Sequence, residues 1–195
     1  MNKLYQQLAF INELEKLKTV KRGNLTLDDF RFENSAEHSW QAAMCALVFR
    51  EYFPQALNMG KVLELLLVHE LGEMRAGDTS VFDEVGKADS FERELAAMKV
   101  SVSKLPKEQA QEMADLWLEF EKGSSAEARY SRVIDALIPL INHVKVAEEN
   151  YNPASLTKTQ VLAKKKFIKD QAPALWPLVQ ELIHQSVTKG LYLDK

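Results

Sequence analysis

The sequence predicts an all-α fold on three observations. Apolar residues recur at helical spacing along most of the 195-residue chain, and no stretch alternates apolar with polar for long enough to make a strand. Only 7 Gly and 6 Pro stand beside 46% hydrophobic residues, the composition of a compact chain with few breaks. A chain of this length buries one proper core. We therefore expect a single domain over residues 1–195, a compact helical bundle with its motif-bearing core at 17–140 and C-terminal helices at 155–190 packed on it.

Residues 1–18 place Leu4, Leu8, Ile11, Leu14 and Leu17 between charged and amide side chains, an amphipathic first helix and not a signal peptide. Residues 18–31, with Gly23, Thr26, Asp28 and Asp29, read as a connecting segment. Asn34 followed by Glu37 is a capping pair, so a helix runs over 35–53, stops at Pro54 and carries His38 in its first turn. Residues 60–74 are apolar nearly all round, the pattern of a buried helix, and lead into His69-Glu70.

The turn-rich stretch 76–89 is long for a loop in a compact domain, which marks it as functional. Asp89-Ser90 with Glu92 opens a helix to 105, and Pro106 suits the first position of the next, which ends near Gly123. Ser124 with Glu127 caps a helix over 125–149 that holds Asp135 and bends at Pro139. Helices at 157–170 and 173–189 finish the chain.

A formal charge of -3 and a pI near 5.9 provide no basic field for a long nucleic acid, although a local cleft can still take a small anion. Cys45, the sole cysteine, excludes an internal disulfide and a multi-cysteine zinc site and fits a reducing cytoplasm. Apolar runs such as 42–49 fall far short of a bilayer span, so no membrane partner is expected.

His38, His69, Glu70 and Asp135 each sit in an apolar helical pattern. Burying such groups without partners costs several kcal/mol apiece, roughly, and a shared divalent cation removes that cost. Imidazole nitrogens with carboxylate oxygens suit one transition metal ion, Mn, Co, Fe, Ni or Zn, and leave positions open for water. Such an ion lowers the pKa of water from about 15.7 toward roughly 7, which makes hydrolysis the natural chemistry. Glu73 follows His69 by one helical turn and can orient or deprotonate that water. Asp78, after the flexible Gly77, is a further acid or base. Arg22, Arg31, Arg75 and Lys87 are candidate phosphate contacts. His69-Glu70 lacks the second histidine of a zinc protease helix, since Glu73 stands there.

His38, His69-Glu70, Glu73-Met74-Arg75-Ala76-Gly77-Asp78 and Asp135, in that order, resemble the pattern of HD-domain phosphohydrolases. The segment Arg31-Phe32-Glu33-Asn34-Ser35-Ala36-Glu37-His38-Ser39 is similar to the motif of the bacterial 5'-deoxynucleotidase branch, and the resemblance covers residues 17–140. It implies an all-α, metal-dependent phosphomonoesterase acting on small nucleotides, (deoxy)nucleoside 5'-monophosphates, and working as a homodimer. On that pattern His38, His69, Glu70 and Asp135 hold the metal, Glu73 and Asp78 are catalytic, and Arg22 binds the substrate phosphate. Two positions depart from it: Glu70 replaces the aspartate of the namesake His-Asp pair, and Gly23 follows Arg22 where the family often has tryptophan. The alternatives are a nucleotide-binding protein weakened or silenced by Glu70, and a helical subunit using Trp117 and Trp176 for oligomer contacts.

Overall fold

The computed structural model describes residues 2–195, so Met1 of the first helix lies outside the described residues. Helix α1 (Lys3–Leu14) starts where the side chain of Asn2 accepts the amide of Leu4, and a tight 3-10 turn, Glu15–Thr19, continues it. Strand β1 (Lys21–Leu25) then pairs antiparallel with β2 (Phe32–Asn34). This two-stranded ribbon corrects the expectation of a plain connecting segment. Its pairing is irregular between Lys21 and Leu25 and the strands are short, so no long alternation betrays it.

Strand β2 runs straight into α2 (Ser35–Phe49), and Asn34 and Glu37 close the anticipated capping box. A 3-10 turn, Arg50–Tyr52, ends it. Helix α3 (Met59–Val68) buries Val62, Leu65, Leu66 and Val68. At His69–Gly72 the backbone tightens to 3-10 before a single turn, α4 (Glu73–Ala76). The sequence reading carried one α-helix through this point. Trp117 explains the change: its indole N–H donates to the carbonyl of His69 at 3.0 Å, and the amide of Glu73 turns to the carbonyl of Glu70.

Gly72 makes that packing possible. A Cβ there would stand 2.9 Å from Cβ of Glu94 and 3.2 Å from the Trp117 ring. Gly77, with φ +79°, turns the chain out of α4 in a conformation that side chains disfavour.

Next come α5 (Glu84–Lys87), α6 (Ser90–Val102), α7 (Lys107–Lys122, ended by left-handed Gly123) and α8 (Ala126–Val146, capped by Ser125). Helices α9 (Lys158–Gln171) and α10 (Trp176–Thr188) pack on α8. Helix α8 is the hub, touching α2, α3, α7, α9 and α10. Its Tyr130, Val133, Ile134, Leu137 and Ile138 are fully buried, each aliphatic side chain contributing about 1.5–3 kcal/mol on area bookkeeping. Asp135 shares that helix but turns toward a cleft.

Candidate metal centre

Each candidate ligand is placed by a separate local device. The capping box fixes the first turn of α2 and with it His38, which is wholly buried. The Trp117 contact fixes His69 and Glu70 in their 3-10 turn. Helix α8 brings in Asp135 one turn before Pro139, whose ring cannot donate to the carbonyl of Asp135. Together His38, His69, Glu70 and Asp135 present ligand atoms that all lie within 4.8 Å of one another.

The hydrogen bonds decide which atoms face inward. Nδ1 of His69 lies 2.7 Å from the carbonyl of Leu66, which can only accept, so Nδ1 carries the hydrogen and Nε2 presents a lone pair. That lone pair faces Oε1 of Glu70 at 3.1 Å and Oδ1 of Asp135 at 3.8 Å. Nε2 of His38 lies 2.9 Å from Oδ1 of Asp135 and 3.6 Å from Oε1 of Glu70. Buried Nε2 of His69 and Oε2 of Glu70 have no hydrogen-bond partner. Lone pairs converging in a buried site repel unless a positive charge stands between them. The donor set therefore fits a divalent cation. Glu70, one methylene longer than an aspartate, still delivers a carboxylate oxygen to the cluster.

The same demand appears in the ionisation of the site. Burial and Arg22 both disfavour a charged His38, but its bond to Asp135 and the nearby carboxylates of Glu33 and Glu70 raise it to about 9. Burial would lift Asp135, yet its bond with His38 and the two imidazoles hold it well below the usual carboxylate range. Glu70 is likewise held low against burial, chiefly by Arg22 and His69. Glu73 moves the other way, to about 11, through burial and the adjacent charge of Glu70. Of this neighbouring pair, Glu70 is the ionised member and Glu73 carries the proton. Asp78 is also raised, by burial first and by Glu70 next.

Arg22 sits deep in this carboxylate nest. Its Nη1 lies 2.6 Å from Glu70, 3.4 Å from Glu73 and 4.0 Å from Asp78, and its Nε is 3.7 Å from Glu33. The expected phosphate contact thus has carboxylates as its immediate partners, while still lining the cleft. Arg31 instead pairs with Asp29 and Glu37, and Arg75 joins Glu13 with its partner cations, both outside the cleft lining. Lys87 does line it. Arg132, a conceivable partner for Asp135, gives its N–H groups to the carbonyls of Phe120 and Glu121. Trp117 is core, which takes it out of the oligomer contacts considered above, and is also a backbone clamp on the site.

Three residues of the site escaped the sequence reading. Glu33, 4% exposed, stands with Oε2 3.7 Å from both Arg22 and His38. Its signal was its place just ahead of the Asn34 cap. Ser35 donates its hydroxyl to Glu73 at 3.0 Å. Lys165, hidden in a run of lysines, is buried against α8, and burial lowers it to about 8 although Asp135 opposes the shift.

His69, Glu70 and Asp135 line a cleft of about 520 Å³ together with Arg22, Glu73 and Asp78 and with Lys164, Lys165 and Phe167 of α9, while His38 is buried behind them. Asp135, 31% exposed, faces that cleft. Two imidazoles and two carboxylates converging beside a cleft in a helical bundle are a donor set of the kind a metal-dependent hydrolase uses.

Comparison with known proteins gives the class its family. The chain belongs to the HD-domain family, whose model matches residues 14–176. It is similar to the human protein named 5'-deoxynucleotidase HDDC2, at 29% identity over 176 residues, covering 90% of this chain and 83% of that one. Among solved structures it resembles a protein from Magnetospirillum magnetotacticum MS-1 described as a predicted metal-dependent phosphohydrolase. The TM-score is 0.89 at 35% identity, over 97% of this chain and 95% of the other. An HD-domain phosphohydrolase from Listeria innocua shares the fold, with a TM-score of 0.70 at 19% identity over 95% and 92% of the two chains. The protein is an HD-family metal-dependent phosphohydrolase. Among the described residues no helix is long and apolar enough to cross a membrane.

Proposed function

We propose that this protein is a phosphomonoesterase that cleaves (deoxy)nucleoside 5'-monophosphates to nucleoside and phosphate. The observation that carries this reading is the reach of Glu70, whose Oε1 stands 3.1 Å from Nε2 of His69 and so completes the ligand cluster despite the His-Glu exchange. The similarity to proteins named 5'-deoxynucleotidase supplies the substrate class.

His38, His69, Glu70 and Asp135 hold one divalent transition metal ion, for which Mn, Fe, Co, Ni and Zn all suit the donors. The ion, when bound, acidifies water and polarises the phosphoryl oxygens. Glu73 orients the attacking water, itself held by the hydroxyl of Ser35 and by Arg22. Asp78, whose pKa burial raises, delivers a proton to the departing 5'-oxygen. Arg22 keeps the three carboxylates Glu70, Glu73 and Asp78 together and turns toward the phosphate.

A homodimer is supported by the stripe Trp40, Met44 and Val48 along α2, 68%, 45% and 62% exposed. The unpaired Cys45 is in keeping with a cytoplasmic setting. The competing reading, a nucleotide binder silenced by Glu70, has less support because the longer side chain still reaches the cluster.

Purified protein assayed with each of these metals against a panel of ribo- and deoxynucleoside monophosphates should release phosphate from at least one. No release with any metal would end the proposal.

A further inference from the structure

The cleft holds one cation whose position the chemistry above does not use. Arg22, Lys87 and Lys164 each face a carboxylate, at 2.6 Å from Glu70, 3.8 Å from Glu94 and 3.7 Å from Glu84 respectively. Arg132 gives its N–H groups to two carbonyls and covers the Phe120 ring. Lys165 differs. It reaches in from α9, is 7% exposed, and its Nζ donates to the carbonyl of Ala136 at 2.8 Å. Among the described residues no carboxylate lies within salt-bridge distance of it.

An ammonium group has three N–H donors, and this one uses a single one on protein. A buried lysine with spare donors is costly to keep unless an anion arrives to use them. Ala136 follows Asp135 directly in α8, so the ammonium stands at the wall of the cleft beside the proposed metal ligands. A phosphoryl group seated over the cluster would therefore meet it. Arg22 approaches the same cleft from the ribbon.

We propose that Lys165 is a phosphate-contacting residue, one that binds the monoester dianion and the orthophosphate product from the α9 side of the cleft. This rests on the nucleotidase reading. A merely structural lysine, tying α9 to α8 through one carbonyl, predicts something else: its removal would loosen the fold and leave anion affinity alone.

The test is orthophosphate binding by calorimetry to the metal-loaded full chain, in wild type, Lys165→Met and Lys165→Arg. Metal content and thermal unfolding are measured on each sample. Methionine matches the lysine stem in an apolar site, so K165M should fold with an unchanged or higher melting temperature. Its phosphate affinity should fall about tenfold or more, the loss of a charge-assisted hydrogen bond, with KM rising in parallel and metal content unchanged. K165R, which keeps the charge, should recover part of the affinity. Phosphate affinity in metal-loaded, folded K165M equal to wild type overturns the assignment, as does a loss explained wholly by missing metal. Should K165M fail to fold, Lys165→Gln takes its place: phosphate affinity in metal-loaded, folded K165Q equal to wild type overturns it. Wild-type protein that holds metal but binds no phosphate overturns the nucleotidase reading itself, and Lys165 with it.

Discussion

Nε2 of His38 and Oδ1 of Asp135 lie 2.9 Å apart, although 97 residues separate them in the chain. The contact joins the first turn of α2 to the middle of α8, and it exists only because both helices pack in the same core. Removing either side chain takes one donor from the proposed metal shell. His38→Ala and Asp135→Ala should each lose stoichiometric metal by elemental analysis and at least about 100-fold in kcat/KM, the upper end for changes one shell further out. Chelation of the wild type should lower its melting temperature, since a ligand at 100 times its Kd stabilises by about 2.7 kcal/mol. Full metal retention in both variants would remove the site.

Glu70→Asp tests the exchange that separates this chain from the namesake pair. Shortening by one methylene withdraws the carboxylate from Arg22, now 2.6 Å away, and from His69. Turnover in E70D should stay equal or fall several-fold, with weaker metal binding. If activity appears only in E70D, the natural chain is the silenced binder and the enzyme reading is wrong.

On the proposed mechanism Glu73 positions the water and Asp78 supplies a proton, and neither holds the metal. Glu73→Gln and Asp78→Asn should each reduce kcat by about 10²- to 10⁴-fold with metal content unchanged. Ser35→Ala, which removes only the hydroxyl bonded to Glu73, should cost about tenfold. Rates within a few-fold of wild type in E73Q would take Glu73 out of the reaction.

Away from the site, Glu13 anchors α1 through Lys16, Arg75 and Lys104. Burial raises its pKa, but the hydrogen bond with Lys16 and the three cations leave it below the usual 4.5. A depressed carboxylate contributes stability that is complete above the unfolded pKa and lost as pH falls through the folded one. Glu13→Gln should therefore cost about 1 kcal/mol at pH 7, the range for partly exposed pairs, and progressively less below pH 4.5. Denaturant melts at both ends of that range decide it; a gap that widens toward acid contradicts the assignment.

Much of this was legible before any coordinates. Asn34 with Glu37 announced the start of α2, and Pro106 and Gly123 marked the ends of α7, because caps are local chemistry written in adjacent residues; the cap of α8 is Ser125, one residue after the Ser124 that the sequence suggested. The four polar residues in apolar helices marked a candidate site for the same reason: burial has to be answered by a partner. The ribbon of β1 and β2 was not legible. Its strands are short and irregular, and they are held by pairing with each other and by their run into α2, not by a pattern in either segment.

By itself, then, the sequence determined the helical class, most helix boundaries and the identity of the ionisable groups that need company, since each follows from spacing along one stretch of chain. Only the tertiary structure decided how they are arranged. Trp117 takes the carbonyl of His69 and forces the 3-10 turn, Arg22 threads into the carboxylates, and Lys165 comes across from α9. Those contacts join distant segments, and their geometry is fixed by the packing of whole helices, which no local pattern encodes.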